Sequence, residues 1–266
     1  MRSRQQGRAD SRTSVQHLLN AWVWTTTVLI TIVGFILVSL VFIVTAPFDP
    51  GRYAAGRTFR LLAVAGTALN PLWRFRTDGV RITDPRRPYV AVSNHESYAD
   101  IFLLSHLPWE MKWLSKDTIF RIPMMGWMMR MAGDIPLRRG NRDSALGALA
   151  ACRDRLAKRV SVMIFPEGTR SRDGNLLPFK DGAFRMAIEA QVPILPIAVA
   201  GTRPAMAKGT FQFRRANAIA RVLEPIDTRG LTLEDLPALR ERAREAIAAA
   251  REGLSRELGS AATRAG

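Results

Sequence analysis

Two short stretches carry the side chains able to do chemistry. In "VSNHESYAD", residues 92–100, an apolar run ends at His95, and Asp100 follows five residues later. Open α/β sheets place their sites at the carboxyl ends of strands, and "PYVAVSN" delivers His95 to such an end. Along an unbroken helix that spacing would set the two side chains on different faces. A strand–turn–helix bend instead brings the carboxylate to one imidazole nitrogen. The contact fixes the tautomer and leaves the other nitrogen free as a general base. Many chains contain H-x4-D by chance, and its place after an apolar strand is what makes it informative.

The second stretch is "VMIFPEGTRSRDG", residues 162–174. Pro166 stops another apolar strand, and Gly168 permits a tight bend that exposes Glu167, Thr169 and Arg170. An arginine on a rigid turn suits bidentate capture of a phosphate. Arg172, Arg139 and Lys116 add positive charge if the strand ends converge. Alone, the stretch reads equally well as a turn with solvated charges; two such clusters, each at a strand terminus, favour a site.

Other chemistries fit less well. His17 lies in a basic tail and His106 beyond the helix begun near Asp100, with no H-E-x-x-H and no cysteine cluster, so no metal is expected. No G-x-S-x-G turn offers a serine nucleophile. The histidine is thus placed as a base with no protein nucleophile to activate, which puts the nucleophile on the substrate. The one cysteine, Cys152, excludes an intrachain disulfide and reads as a buried, inert thiol in "SALGALAACRDRLAKR".

The elements that must position these groups read as an α/β layer structure, a mixed, largely parallel sheet flanked by helices. Continuous apolar runs at 88–94, 111–115, 134–137, 160–165 and 192–201 predict strands covered on both faces. Helices are expected at about 98–106, 123–132, 143–159 and 181–190, with further strands in "FQFRRANAIARVLEPI". The "PMMGWMMRMAG" helix is apolar nearly all round, with Pro123 at its first position. It is either a core element or a surface touching acyl chains. A final charged helix shows a stripe through Leu236, Leu239, Ala243, Ile247 and Leu254, packed on the domain and otherwise solvated.

Ahead of the sheet, residues 21–44 hold no charge and are long enough to cross about 30 Å of hydrocarbon. Trp22 and Trp24 suit its interfacial end, and "VTAPFDP" is a poor cleavage site for a signal peptide. A second apolar segment, 53–73, is interrupted by Arg57 and Arg60 and reads as an interfacial or re-entrant helix against the first. The chain divides into a basic tail (1–20), a membrane-associated helix pair (21–76) and an α/β domain (77–260). With 39 Lys and Arg against 23 Asp and Glu, the formal net charge is +16. Arginine- and alanine-rich coding bias is one reading of that charge, and an anionic partner such as an acidic membrane surface is the other. The apolar anchor and the lack of an aromatic–basic recognition motif argue against nucleic acid as partner.

"NHESYAD", "GDIPLRR", "FPEGTRS" and "VPILPI", in that order, resemble the four motifs of the glycerolipid acyltransferase family, with similarity over about residues 78–250. Lys116 in "WLSKDTIFRIP" stands where that family usually has a lysine, and the commoner first-motif form "NHQS..D" is replaced conservatively. The resemblance implies His95 as general base and Asp100 as its orienting carboxylate. It implies Phe165, Pro166, Glu167, Gly168, Thr169, Arg170, Arg139 and Lys116 around the glycerol-phosphate, and Pro196 shaping the acyl side. It further implies an acyl thioester donor, on coenzyme A or acyl carrier protein, no metal or prosthetic group, and 1-acyl-glycerol 3-phosphate as acceptor, giving phosphatidic acid. The same chemistry on glycerol 3-phosphate, another lysophospholipid or a lyso-aminolipid is the alternative; a non-catalytic basic binding module is a remote one. The domain is expected on the cytoplasmic side of the inner membrane.

Overall fold

A computed structural model describes residues 2–171, 174–206 and 212–264, with side chains from Ser14 onward except at 262 and 264. Arg172 and the side chains of the tail arginines Arg2, Arg4, Arg8 and Arg12 lie outside the described residues. Seven strands, β1 (Trp73–Gly79), β2 (Val90–Ser93), β3 (Met111–Lys116), β4 (Ile135–Leu137), β5 (Ser161–Ile164), β6 (Ile194–Ala200) and β7 (Ala216–Val222), form one sheet. Its order is β1-β7-β6-β2-β5-β3-β4. All pairings are parallel except β6 with β7. β2, β5 and β6 are buried along their whole length, as their continuous apolar runs require. Their ends, at 93, 164 and 200, set the site.

The helices are α1 (Arg2–Thr45), α2 (Tyr53–Ala68), α3 (Ala99–Leu104), α4 (Met125–Ala132), α5 (Arg142–Ala157), α6 (Gly182–Ala190) and α7 (Leu236–Arg264). One face of the sheet packs on α5, α6 and the α7 stripe, in which Leu236, Leu239, Ala243, Ile247 and Leu254 are all buried. Cys152 is fully buried in the same core.

Three expectations are corrected. β1 was not anticipated: "WRFRTDG" carries charge at alternate positions because this edge strand is only half covered. It pairs in parallel with β7, from Trp73 opposite Ala216 to Gly79 opposite Val222, so the α/β domain begins at Trp73 rather than 77. Pro123 does not open a helix. Met124, at φ 57, turns the chain first, and α4 starts at Met125. Met128 and Met129 of α4 are core, as one reading of that helix had it, while Trp127 is half exposed.

The two N-terminal helices are stacked. α2 runs antiparallel to α1: Trp22 Nε1 donates to the Leu69 carbonyl (3.0 Å), and the guanidinium of Arg52 lies over the Phe42 ring. Between them Gly34 faces Leu62 so closely that a Cβ there would sit 2.2 Å from Leu62 Cδ1. α2 in turn is held on the sheet by polar groups. Arg60 pairs with Asp134, Arg57 donates to the Leu107 carbonyl (2.7 Å), and Thr67 Oγ1 meets His106 Nε2 (3.0 Å). Beneath it, buried Lys112 bonds Glu110 Oε1 (3.0 Å) and the Arg52 carbonyl (2.7 Å). The two arginines that interrupt the second apolar segment are therefore its attachment points.

α1 also touches the domain directly. Asn20 accepts from Phe213 N (2.8 Å), Gln16 donates to the Phe213 carbonyl (2.8 Å), and Val23 packs with Leu72, Trp73 and Ala216. Its stretch Ser14–Thr45 is long and apolar enough to cross a membrane.

Candidate active site

β2 ends at Ser93, and the chain leaves the sheet under control. The Asn94 amide replaces the backbone ladder, its Nδ2 donating to the Val199 carbonyl and its Oδ1 accepting from Val199 N, both at 2.8 Å. His95 follows, and the turn through Ser97 returns Asp100 to it from the first turn of α3. Asp100 Oδ2 lies 2.7 Å from His95 Nδ1 and accepts from the backbone of Glu96 (2.8 Å) and Ser97 (3.0 Å). Its other oxygen accepts from Thr202 Oγ1. An oxygen that already accepts from two backbone amides serves as an acceptor toward the imidazole as well. His95 Nδ1 therefore carries the proton, and Nε2 is the free base. The Phe165 ring stacks on the imidazole, centroids 4.0 Å apart and planes at 15°, which fixes its plane.

The second turn is tied to the first by backbone. Ser171 N donates to the His95 carbonyl (3.0 Å). Glu167 Oε1 accepts from His95 N (2.7 Å) and its Oε2 from Leu177 N (3.0 Å). Glu167 is thus not a substrate-facing group. It is 4% exposed, both oxygens serve backbone donors, and burial raises its pKa. Its work is to hold the two turns together. Gly168 has φ 70, the left-handed bend its residue type allows. Thr169 is exposed. Arg170 lies over the Tyr98 ring at 3.7 Å and has no carboxylate partner among the described residues, so its in-plane donors are available.

Beside this turn opens a cleft of about 270 Å³, lined by Leu114, Phe165, Pro166 and Gly168, with Arg139 and Lys180 among its walls. Lys116, the last residue of β3, and Arg139, just beyond the end of the adjacent β4, are both exposed. Cys152 also lines the cleft, but burial pushes its thiol up to about 12, which keeps it protonated and inert. Pro196 does not join the cleft. It lies buried inside β6, level with Val92, and its carbonyl serves Leu223 N (3.0 Å).

Two residues of the site escaped the sequence reading. Thr202 follows β6 and has no local pattern to mark it. Lys180 is exposed, has no ion-pair partner among the described residues, and would meet a Cβ at Gly168 2.8 Å from its Nζ; the signal was its place just beyond the motif, before a helix. Among the described residues no three of His, Cys, Asp and Glu gather as metal ligands.

The arrangement defines a class: an α/β protein with an imidazole–carboxylate pair at a strand end, and exposed cations, Lys116, Arg139 and Lys180, at the same end of the sheet. Residues 74–200 match the acyltransferase family model. A chloroplastic 1-acyl-sn-glycerol-3-phosphate acyltransferase of Brassica napus is 41% identical over 147 residues, 55% of this chain and 43% of that protein. The human 1-acyl-sn-glycerol-3-phosphate acyltransferase alpha is 35% identical over 176 residues, 65% of this chain and 62% of its own. The chain thus spans less than two thirds of these relatives' length. The crystal structure of the 1-acyl-sn-glycerophosphate acyltransferase of Thermotoga maritima superposes with a TM-score of 0.76 at 25% identity, covering 92% of this chain and 97% of that one.

Proposed function

We propose that this protein transfers a fatty acyl group from an acyl thioester to the free hydroxyl of 1-acyl-sn-glycerol 3-phosphate, giving phosphatidic acid. The observation that carries the reading is the free Nε2 of His95, oriented by Asp100 and Phe165, at the same sheet end as Arg170, Arg139 and Lys180. Relatives bearing that activity in their names support the acceptor.

His95 Nε2 takes the hydroxyl proton as the oxygen attacks the thioester carbonyl. The C–O bond forms, the C–S bond breaks, and the imidazolium returns its proton to the departing thiolate. No acyl-enzyme is needed. The cations hold the acceptor phosphate so that the hydroxyl arrives at attack distance. The donor is coenzyme A or acyl carrier protein, and no metal or prosthetic group takes part. The apolar outer face of α1 and the net charge of +16 suit an anionic membrane surface. The proposed location is the inner membrane, with the catalytic domain on the cytoplasmic side.

The test incubates purified protein with labelled acyl-CoA or acyl carrier protein and a panel of acceptors: 1-acyl-glycerol 3-phosphate, glycerol 3-phosphate and neutral lysolipids. Labelled phosphatidic acid is expected. His95→Ala lowers its formation by about 10²–10⁴-fold, the usual contribution of a positioned base, while lysolipid binding persists. Turnover retained in His95→Ala removes the base; equal use of neutral acceptors removes the phosphate clamp.

A further inference from the structure

One charged side chain reaches this site from the far end of the chain. The buried stripe of α7 steps through Leu236, Leu239, Ala243 and Ile247 and resumes at Leu254 and Leu258. Between them, four residues after Ile247, the same face presents Arg251. Its Nε donates to Glu96 Oε1 at 2.8 Å, and the Glu96 side chain is only 8% exposed. Its NH2 donates to the Gly174 carbonyl. Glu96 directly follows His95, and Gly174 lies three residues beyond Ser171, whose amide closes the phosphate turn onto His95. One rigid guanidinium therefore bridges the loop bearing the base and the loop bearing the phosphate-binding arginine. It is anchored on a helix whose neighbouring stripe residues are core.

We propose that Arg251 is a positioning residue: by holding Glu96 and Gly174 at a fixed separation it sets the distance between His95 and the 165–171 turn. This rests on the acyl-transfer reading for its kinetic consequence, though the geometric lock does not depend on it. The planar fork of arginine reaches two acceptors at once, which a lysine ammonium on a flexible stem does not reproduce. A misplacement of about 1 Å between reacting groups costs on the order of 10²-fold in rate.

Arg251→Ala is expected to lower kcat about 10- to 100-fold, with KM for the lysolipid little changed, at a temperature where its unfolding curve shows it fully folded. Arg251→Lys recovers part of the loss. Arg251→Ala combined with Glu96→Ala is no slower than the slower single variant, since both remove one lock. Arg256→Ala, exposed on the same helix, keeps wild-type kinetics. A reading that needs no turnover is the imidazole ¹⁵N spectrum of His95, which should change in Arg251→Ala and not in Arg256→Ala. Wild-type kcat in folded Arg251→Ala, or an unchanged His95 spectrum, overturns the proposal. Absent acyl transfer in the wild type would overturn the reaction assignment instead, and the spectrum would still decide the lock.

Discussion

An imidazole works as a base only while its second nitrogen is held, and here the holder is itself held. Asp100 is 0% exposed and accepts from two backbone amides, one imidazole and one hydroxyl. Thr202→Val, nearly isosteric, removes the hydroxyl and leaves one buried carboxylate oxygen without a donor. A hydrogen bond to a charged group contributes roughly 1.5–3 kcal/mol, so kcat should fall about 10- to 100-fold, with Thr202→Ser restoring it. Steady-state kinetics on the same acceptor checks this, and wild-type rates in the valine variant would show the fourth donor to be idle. His95, Asp100 and the Gly168 bend were legible because each sits within one short motif. Glu167 was misread because sequence shows that a carboxylate stands at a turn, not that two amides already claim it. Thr202, about a hundred residues from Asp100, is joined to it by the sheet alone.

At the scale of elements, the join between α2 and the sheet is ionic, buried and mutually dependent. Arg60 and Asp134 pair out of solvent, and Asp134 Oδ1 also accepts from Trp113 N (2.9 Å) on β3. Arg60→Met leaves that carboxylate uncompensated and should destabilise the fold by about 3–5 kcal/mol. Adding Asp134→Asn keeps an acceptor for Trp113 and removes the stranded charge, so the double variant should recover most of the loss. Denaturant midpoints of the three proteins test the pairing; equal midpoints for single and double variants would refute it. Strands buried on both faces were readable from their apolar runs, and the α7 stripe from its spacing. β1 was not, because an edge strand carries alternate charges that read like a linker. The place of α2 was hidden for a related reason: arginines in an apolar segment suggest solvent, whereas Arg60 faces a carboxylate inside the protein.

Across the whole molecule, α1 forms an outer layer rather than a projecting stalk. From Ser14 to Thr45 it spans about 48 Å at 1.5 Å per residue, with contacts to the domain or α2 near Gln16, Asn20, Trp22, Gly34 and Phe42. Val33, Ile36 and Leu40 remain about half exposed on it, and Ile122 and Trp127 beside α4 are exposed as well. Replacing Ile36 and Leu40 by Glu should cut co-sedimentation with lipid vesicles at least tenfold, given roughly 1.5–3 kcal/mol per buried aliphatic side chain. Binding to anionic vesicles should exceed that to zwitterionic ones and weaken with salt. Undiminished sedimentation of the double variant would place the lipid contact elsewhere. On the proposed reading, a catalytic domain held on one side of a bilayer draws its acceptor from the near monolayer and returns a two-chain lipid to the same one. Each turnover then enlarges that monolayer alone, so balanced growth of the sheet demands a separate activity that carries headgroups across.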